Sequence, residues 1–203
     1  YAANLDDMGK RNDAVSLSRQ ALSIRERKLD ADDPEVATSL LNLGTHLDES
    51  GNYADALPLL KRALAIREKI YGAQHPLVAF AQIGLASVYE DEDRLDEAEK
   101  LAQTALAICR DGLPPDHPKI GEALNLLAMV RMLRRDFAGA VPLAQQVLSR
   151  FTRTLGPDHP DTLAAKNNLA FALLHAGRPA DAEALLRDAL ARKGRDNGQG
   201  IDA

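Results

Sequence analysis

The sequence predicts an all-α fold, a solenoid of stacked antiparallel helix pairs, and three observations carry that expectation. The first is an internal period: Asp33-Pro34, His75-Pro76, His117-Pro118 and His159-Pro160 recur every 42 residues with no insertion. Such a period marks repeated supersecondary units. The second is composition. Hydrophobic residues make up 45% of the 203-residue chain, yet aromatics are only 4% and Trp is absent. Ala and Leu supply most of the apolar mass and are strong helix formers, whereas a β fold would want Val, Ile, Tyr and Phe. The third is that apolar residues recur at helical spacing within each unit.

Each unit reads as two helices, here called A and B. In residues 34–75, Pro34 suits the first turn of helix A, where its missing N–H leaves no bond unmade. Val36, Ala37, Leu40, Leu43, Gly44 and Leu47 form its apolar stripe. Ser50-Gly51-Asn52 then ends it, with Gly51 available for a left-handed cap. Asn52 is a candidate cap for helix B. Ala56, Leu59, Leu60, Ala63, Leu64 and Ile66 line helix B, which is expected to fade near Ile70, before Gly72. Pro58, matched by Pro142, lies early in that helix and is expected to bend only its first turn. The series Ala14, Ala56, Ala98, Ala140, Ala182 and Leu22, Leu64, Leu106, Leu148, Leu190 keep the same step. One such pair cannot bury its apolar face alone, so stacking builds the core.

The register sets the domain reading. A single array spans 1–193 as five repeats: about 1–33, 34–75, 76–117, 118–159 and 160–193. Tyr1 matches Leu43, so the first repeat is expected to lack part of its helix A. Residues 194–203 are polar and Gly-rich and read as a flexible tail. No polar capping helix is evident after the fifth repeat, which leaves an apolar end for a partner, the tail or a second copy to cover.

Several function classes are disfavoured. The net charge is −5, from 25 basic and 30 acidic residues. That lacks the basic field needed for nucleic acid or an anionic membrane. No apolar run reaches the roughly 20 residues of a membrane-spanning helix. The lone Cys109 cannot form an intrachain disulfide and suits a reducing, cytoplasmic setting. It aligns with Arg25, Arg67 and Phe151, read as a partly exposed helix position. His75, His117 and His159 lie on successive loops and read as helix caps; no zinc-like cluster joins them. No Gly-rich phosphate loop, G-x-S-x-G or H-E-x-x-H is present, so no enzyme and no cofactor or metal is expected.

Leu43-Gly44, then Leu47, Gly51, Ala56 and Ala63, resembles the tetratricopeptide motif. Ala63-Leu-Ala-Ile-Arg-Glu-Lys, Gly156-Pro-Asp-His-Pro160 and Asn167-Asn-Leu-Ala170 resemble its kinesin-light-chain-like subfamily. The resemblance implies a right-handed superhelix that binds a peptide or protein partner along a concave groove lined by helices A. It also suggests a bacterial signalling source. The chain departs from the motif where Glu68 replaces a helix-ending proline. Asp93 and Arg135 replace the turn glycine, and Gln82 and Lys166 occupy a usually apolar position.

By that resemblance the groove residues are Asn42, Thr45, Asp48, Glu49, Glu90, Asn125, Met129, Asn167, Asn168 and Phe171. Asparagine carboxamides both donate and accept, so they can hold an extended backbone. Asp48, Glu49, Glu90 and Asp91 make one part acidic. Leu126, Met129, Met132, Leu133, Phe171 and Leu174 make another apolar. A partner with basic and hydrophobic ends fits that contrast. No Lys or Arg occupies positions 38, 42, 80, 84, 122, 126, 164 or 168, where a clamp for an acidic C-terminal tail would need one. Glu90 to Asp93 aligns with Arg131 to Arg135, which reads first as ion pairs between repeats and second as a patch that steers a partner. Two further readings stay open: a regulatory or oligomerisation module of a larger kinase or ATPase, which would include homo-oligomers through uncapped ends, and the substrate-binding part of an enzyme.

Overall fold

The computed structural model describes residues 2–187, with side chains from residue 11 onward. Eight helices follow in order: α1 (Ala2–Lys28), α2 (Pro34–Glu49), α3 (Tyr53–Tyr71), α4 (Pro76–Asp91), α5 (Leu95–Gly112), α6 (Pro118–Leu133), α7 (Phe137–Thr154) and α8 (Pro160–His175). Residues 179–187 are helical as well. No strand occurs among the described residues. The expected tail at 194–203 lies outside them, as do Tyr1 and Leu190.

The helix starts are built alike. Asp33, His75, His117 and His159 are N-caps, each followed by proline at the first helical position. Each side chain accepts from the backbone N–H two residues on: Asp33 Oδ1 at 2.7 Å and the histidine Nδ1 atoms at 3.1–3.2 Å. A ring nitrogen that accepts carries no proton, so these histidines cap as the neutral Nε2–H tautomer. Asn52 holds the N-cap position of α3, but its side chain makes no capping bond.

The stops of helix A are equally regular. The N–H groups of Asn52, Arg94, Asp136 and Arg178 reach back to the carbonyls of Leu47, Tyr89, Arg131 and Leu173 at 2.8–2.9 Å. This six-to-one closure needs a left-handed residue just before the donor. Gly51 and Gly177 supply it at φ 76° and 78°. Asp93 and Arg135 adopt the same conformation, at φ 57° and 61°, without being glycine. The turn is therefore kept at every joint, with strain at two of them.

The chain divides into two compact bodies, Tyr1–Pro115 and Asp116–Ala203, and the break falls within Pro114-Pro115-Asp116. In the first, α2 packs on α3 and α4 on α5, and α3 also packs on α4. Its core includes Val36, Leu40, Leu43, Leu60, Val78 and Val88. Gly44 permits the closest approach: a Cβ there would lie 2.6 Å from the Leu60 side chain. In the second body α7 packs on both α6 and α8, around Ala140, Val141, Ala144, Leu169, Ala172 and Leu173. Pro58 and Pro142 sit inside α3 and α7, which continue past them.

Three expectations change. Residues 2–8, assigned by register to a truncated helix A, instead run on into helix B, and α1 passes through Gly9 without a turn. A separate piece of about two turns would bury little, whereas one mid-helix glycine costs only about 1 kcal/mol. Cys109 is buried rather than partly exposed. Its counterpart Arg67 is buried too, and its guanidinium donates to the Leu77 carbonyl at 2.8 Å. The end of α3 is thus covered by the start of α4. Leu126 and Met132, expected on the apolar surface, are buried.

Candidate peptide-binding surfaces

Two sets of helix A side chains remain after packing, one in each body. In the first body Asp48, at the end of α2, is only 8% exposed. Its Oδ2 accepts from Ser87 Oγ on α4 at 2.9 Å, and its Oδ1 is buried without a hydrogen-bond donor. Burial pushes the Asp48 carboxyl up to about 6; the Ser87 bond opposes this, and the Asp91 carboxyl, within hydrogen-bonding reach, adds to it. Burial likewise raises Glu90 to about 7, aided by Asp91 and Asp48. The phenol of Tyr53, at the start of α3, is held above its ordinary value, first by the charge of Asp91. Glu49 and Asp91 are exposed, and Glu90 and Tyr53 are half-buried. Asn42 is exposed and Thr45 half-buried on the same helix.

In the second body a hollow of about 400 Å³ is lined by Met129, Leu133, Phe137, Asn168, Phe171 and His175, among others. The Phe137 and His175 rings stack at 4.8 Å, and Phe171 meets Phe137 edge-on at 6.0 Å. Asn168 Nδ2 approaches Met129 Sδ at 3.8 Å, so its carboxamide joins α8 to α6. Phe171, Leu133 and Leu174 are each half-exposed, at 50%, 50% and 54%. A second hollow, of about 520 Å³, lies on the other side of Phe171 and includes Asn167, Leu174, Pro179 and Leu186. Asn125 is half-buried on α6.

The structure thus gathers Asp48 and Glu90 in one cluster and Met129, Asn168 and Phe171 in another. Sequence reading missed Ser87, Tyr53, Phe137 and His175. A signal for two of them existed: Tyr53 and Phe137 hold the same place in their repeats and are aromatic, whereas Leu95 and Pro179 hold it elsewhere. The aligned acidic and basic runs have partners inside their own bodies: Arg94 with Glu92 at 3.4 Å, and Arg131 with Asp136 at 3.2 Å.

The model of the tetratricopeptide repeat family matches residues 1–69, 49–111 and 119–194. The chain belongs to the tetratricopeptide repeat family. Among solved structures, the nearly identical TPR-like repeats of a kinesin-light-chain-type protein from Podosopora anserina are similar, with a TM-score of 0.76 and 28% identity over 97% of this chain and 92% of that one. A second structure of those repeats gives a TM-score of 0.74 and 27% identity over 96% and 92%. The MamA protein shares the fold alone, with a TM-score of 0.62 and 16% identity over 95% and 98%. No curated protein matches in sequence. Tetratricopeptide arrays are typically protein-interaction scaffolds and generally not catalysts. No helix among the described residues of this tetratricopeptide protein is long and apolar enough to cross a membrane. No group of three or more His, Cys, Asp and Glu side chains among them is placed to hold a metal ion.

Proposed function

We propose that this tetratricopeptide protein is a scaffold that holds a polypeptide partner against the helix A side chains of its repeats. The observation that carries the proposal is the half-exposed apolar surface around Phe171. Soluble folds rarely leave large side chains clustered in the open without use. Here Leu133, Phe171 and Leu174 surround two hollows that would seat apolar anchors. The acidic cluster of the first body favours a partner that also carries basic residues. The repeats agree in their packing positions and differ in these surface positions, as expected if the surface selects a partner. Self-association through the same apolar residues is the second reading, since a copy of the chain could cover them.

A peptide array tests the proposal. Peptides with hydrophobic and basic residues should be retained more strongly than acidic ones; equal or reversed retention would defeat it. Light scattering over a concentration series separates the readings. A monomer at micromolar concentration supports an open surface, and self-association there supports the second reading.

A further inference from the structure

We infer that Asp48, Glu90 and Asp91 form a seat for one guanidinium or ammonium group of the bound polypeptide. The inference rests on the scaffold reading and specifies the chemistry of one contact.

The geometry comes first. The Asp48 side chain is more than nine-tenths buried, and Ser87 satisfies only one of its oxygens. Its other oxygen has no donor, while the Asp91 carboxyl lies within hydrogen-bonding reach. Carboxyl groups so placed repel one another when charged, and a cation between them relieves that repulsion. The cluster opens to solvent, because Asp91 and Glu49 are exposed and Glu90 is half-buried. Tyr53, at the start of α3, lies close enough for the charges of Asp91 and Asp48 to act on its phenol.

The neighbouring elements leave the charge standing. From α2 comes Glu49, from α3 Tyr53, and from α4 Glu90 and Asp91. Arg11 on α1 donates to the backbone carbonyl of Glu49 at 3.0 Å. Arg94, leading into α5, is bonded to Glu97 and Glu92 and lies 4.1 Å from the Tyr89 ring centre, with Lys61 of α3 also over that ring. Burial first, and then the neighbouring carboxyl charges, raise both Asp48 and Glu90.

Comparison between repeats shows that packing does not require these acids. Positions 48, 90, 132 and 174 are Asp, Glu, Met and Leu, and positions 49, 91, 133 and 175 are Glu, Asp, Leu and His. The same two places that are acidic in the first body line the apolar hollows of the second. Met132, Leu133 and Leu174 fill three of these four places there and His175 the fourth, so the buried acid of the first body is a departure that stability alone would not select.

The test titrates a fluorescein-labelled octapeptide with one arginine among alanine and leucine, and its neutral citrulline counterpart, into the whole chain. At about pH 8 the arginine probe should bind roughly tenfold tighter, and near pH 5 the gap should close to about twofold, because Asp48 and Glu90 then hold protons. Calorimetry near neutral pH in buffers of different ionisation heat should show proton release on binding. Asp48→Asn and Asp91→Asn should each erase the arginine preference and leave citrulline-probe binding unchanged. Equal binding of the two probes at high pH, or an arginine preference that ignores pH, overturns the inference while the scaffold reading stands. Failure of both probes to bind at any pH counts against both.

Discussion

Ser87 Oγ donates to Asp48 Oδ2 at 2.9 Å and so ties α4 to α2, the same helix of successive repeats. The bond lowers the Asp48 carboxyl, but burial outweighs it and leaves the group at about 6 against an ordinary 3.8. A carboxyl raised by folding favours the protonated form. Its folded state is therefore most stable below the ordinary value and loses stability as pH climbs through the raised one. Glu90, at about 7, extends the same window upward. Asp48→Asn keeps an acceptor for Ser87 and removes the buried charge. The variant should gain roughly 1–3 kcal/mol over the parent near pH 8 and almost nothing near pH 4. Urea unfolding at the two pH values measures this, and an equal gain at both would show that charge is not the cause.

Gly44 and Leu60 form a matched pair, since a Cβ at Gly44 would meet Leu60 at 2.6 Å. The next repeats place Ala86 with Ala102 and Ala128 with Ala144 at the same two positions. The array thus meets one spacing with either glycine and leucine or two alanines. Gly44→Ala alone should lose about 1–3 kcal/mol by overpacking, and Leu60→Ala alone about 2–5 kcal/mol through a cavity. The double variant should lose at least about 1 kcal/mol less than the sum, because each change relieves the other. Simple additivity in a double-mutant cycle would mean that the contact is not the constraint.

Asp93 holds the left-handed turn position at φ 57° that glycine fills at Gly51 and Gly177. Asp93→Gly relieves that strain and should stabilise the first body by about 0.5–1 kcal/mol, seen as a higher thermal midpoint. Gly51→Asp should lose a similar amount. If both changes are neutral, the turn tolerates either residue and carries no strain.

His159 Nδ1 accepts from the Asp161 N–H at 3.2 Å and caps α8. His159→Ala should cost about 1 kcal/mol, while His159→Asp, which copies Asp33, should keep the stability. Circular dichroism melts of the two variants would separate capping from any other role of the ring.

Much of this was legible in the sequence, for a physical reason. Helix ends and packing stripes depend on local chemistry that repeats every 42 residues, so Pro34, Gly51, Ala56 and their counterparts fix the helices and the order of packing. What depends on neighbours was less legible. Cys109 looked half-exposed by alignment with Arg25 and Arg67, because an arginine can be buried when its guanidinium finds a carbonyl such as that of Leu77. The register assigned the first residues to a truncated helix A, yet α1 runs from Ala2 to Lys28 without a break. The candidate surfaces were half-visible. Asp48, Met129 and Phe171 stood out as unlike their counterparts, but the stacking of Phe137 on His175 joins residues that no local pattern links.

The central claim is that a polypeptide lies against helix A side chains, and methyl nuclear magnetic resonance tests it most directly. The chain, methyl-labelled at Leu and Met, is titrated with a hydrophobic and basic peptide selected from the array, beside a Phe171→Ser control. The account predicts shifts centred on Met129, Leu133 and Leu174 that are lost in the control, with Leu59, Leu101 and Leu143 of the helices B unmoved. Shifts confined to those helix B leucines, or none at saturating peptide, would contradict it.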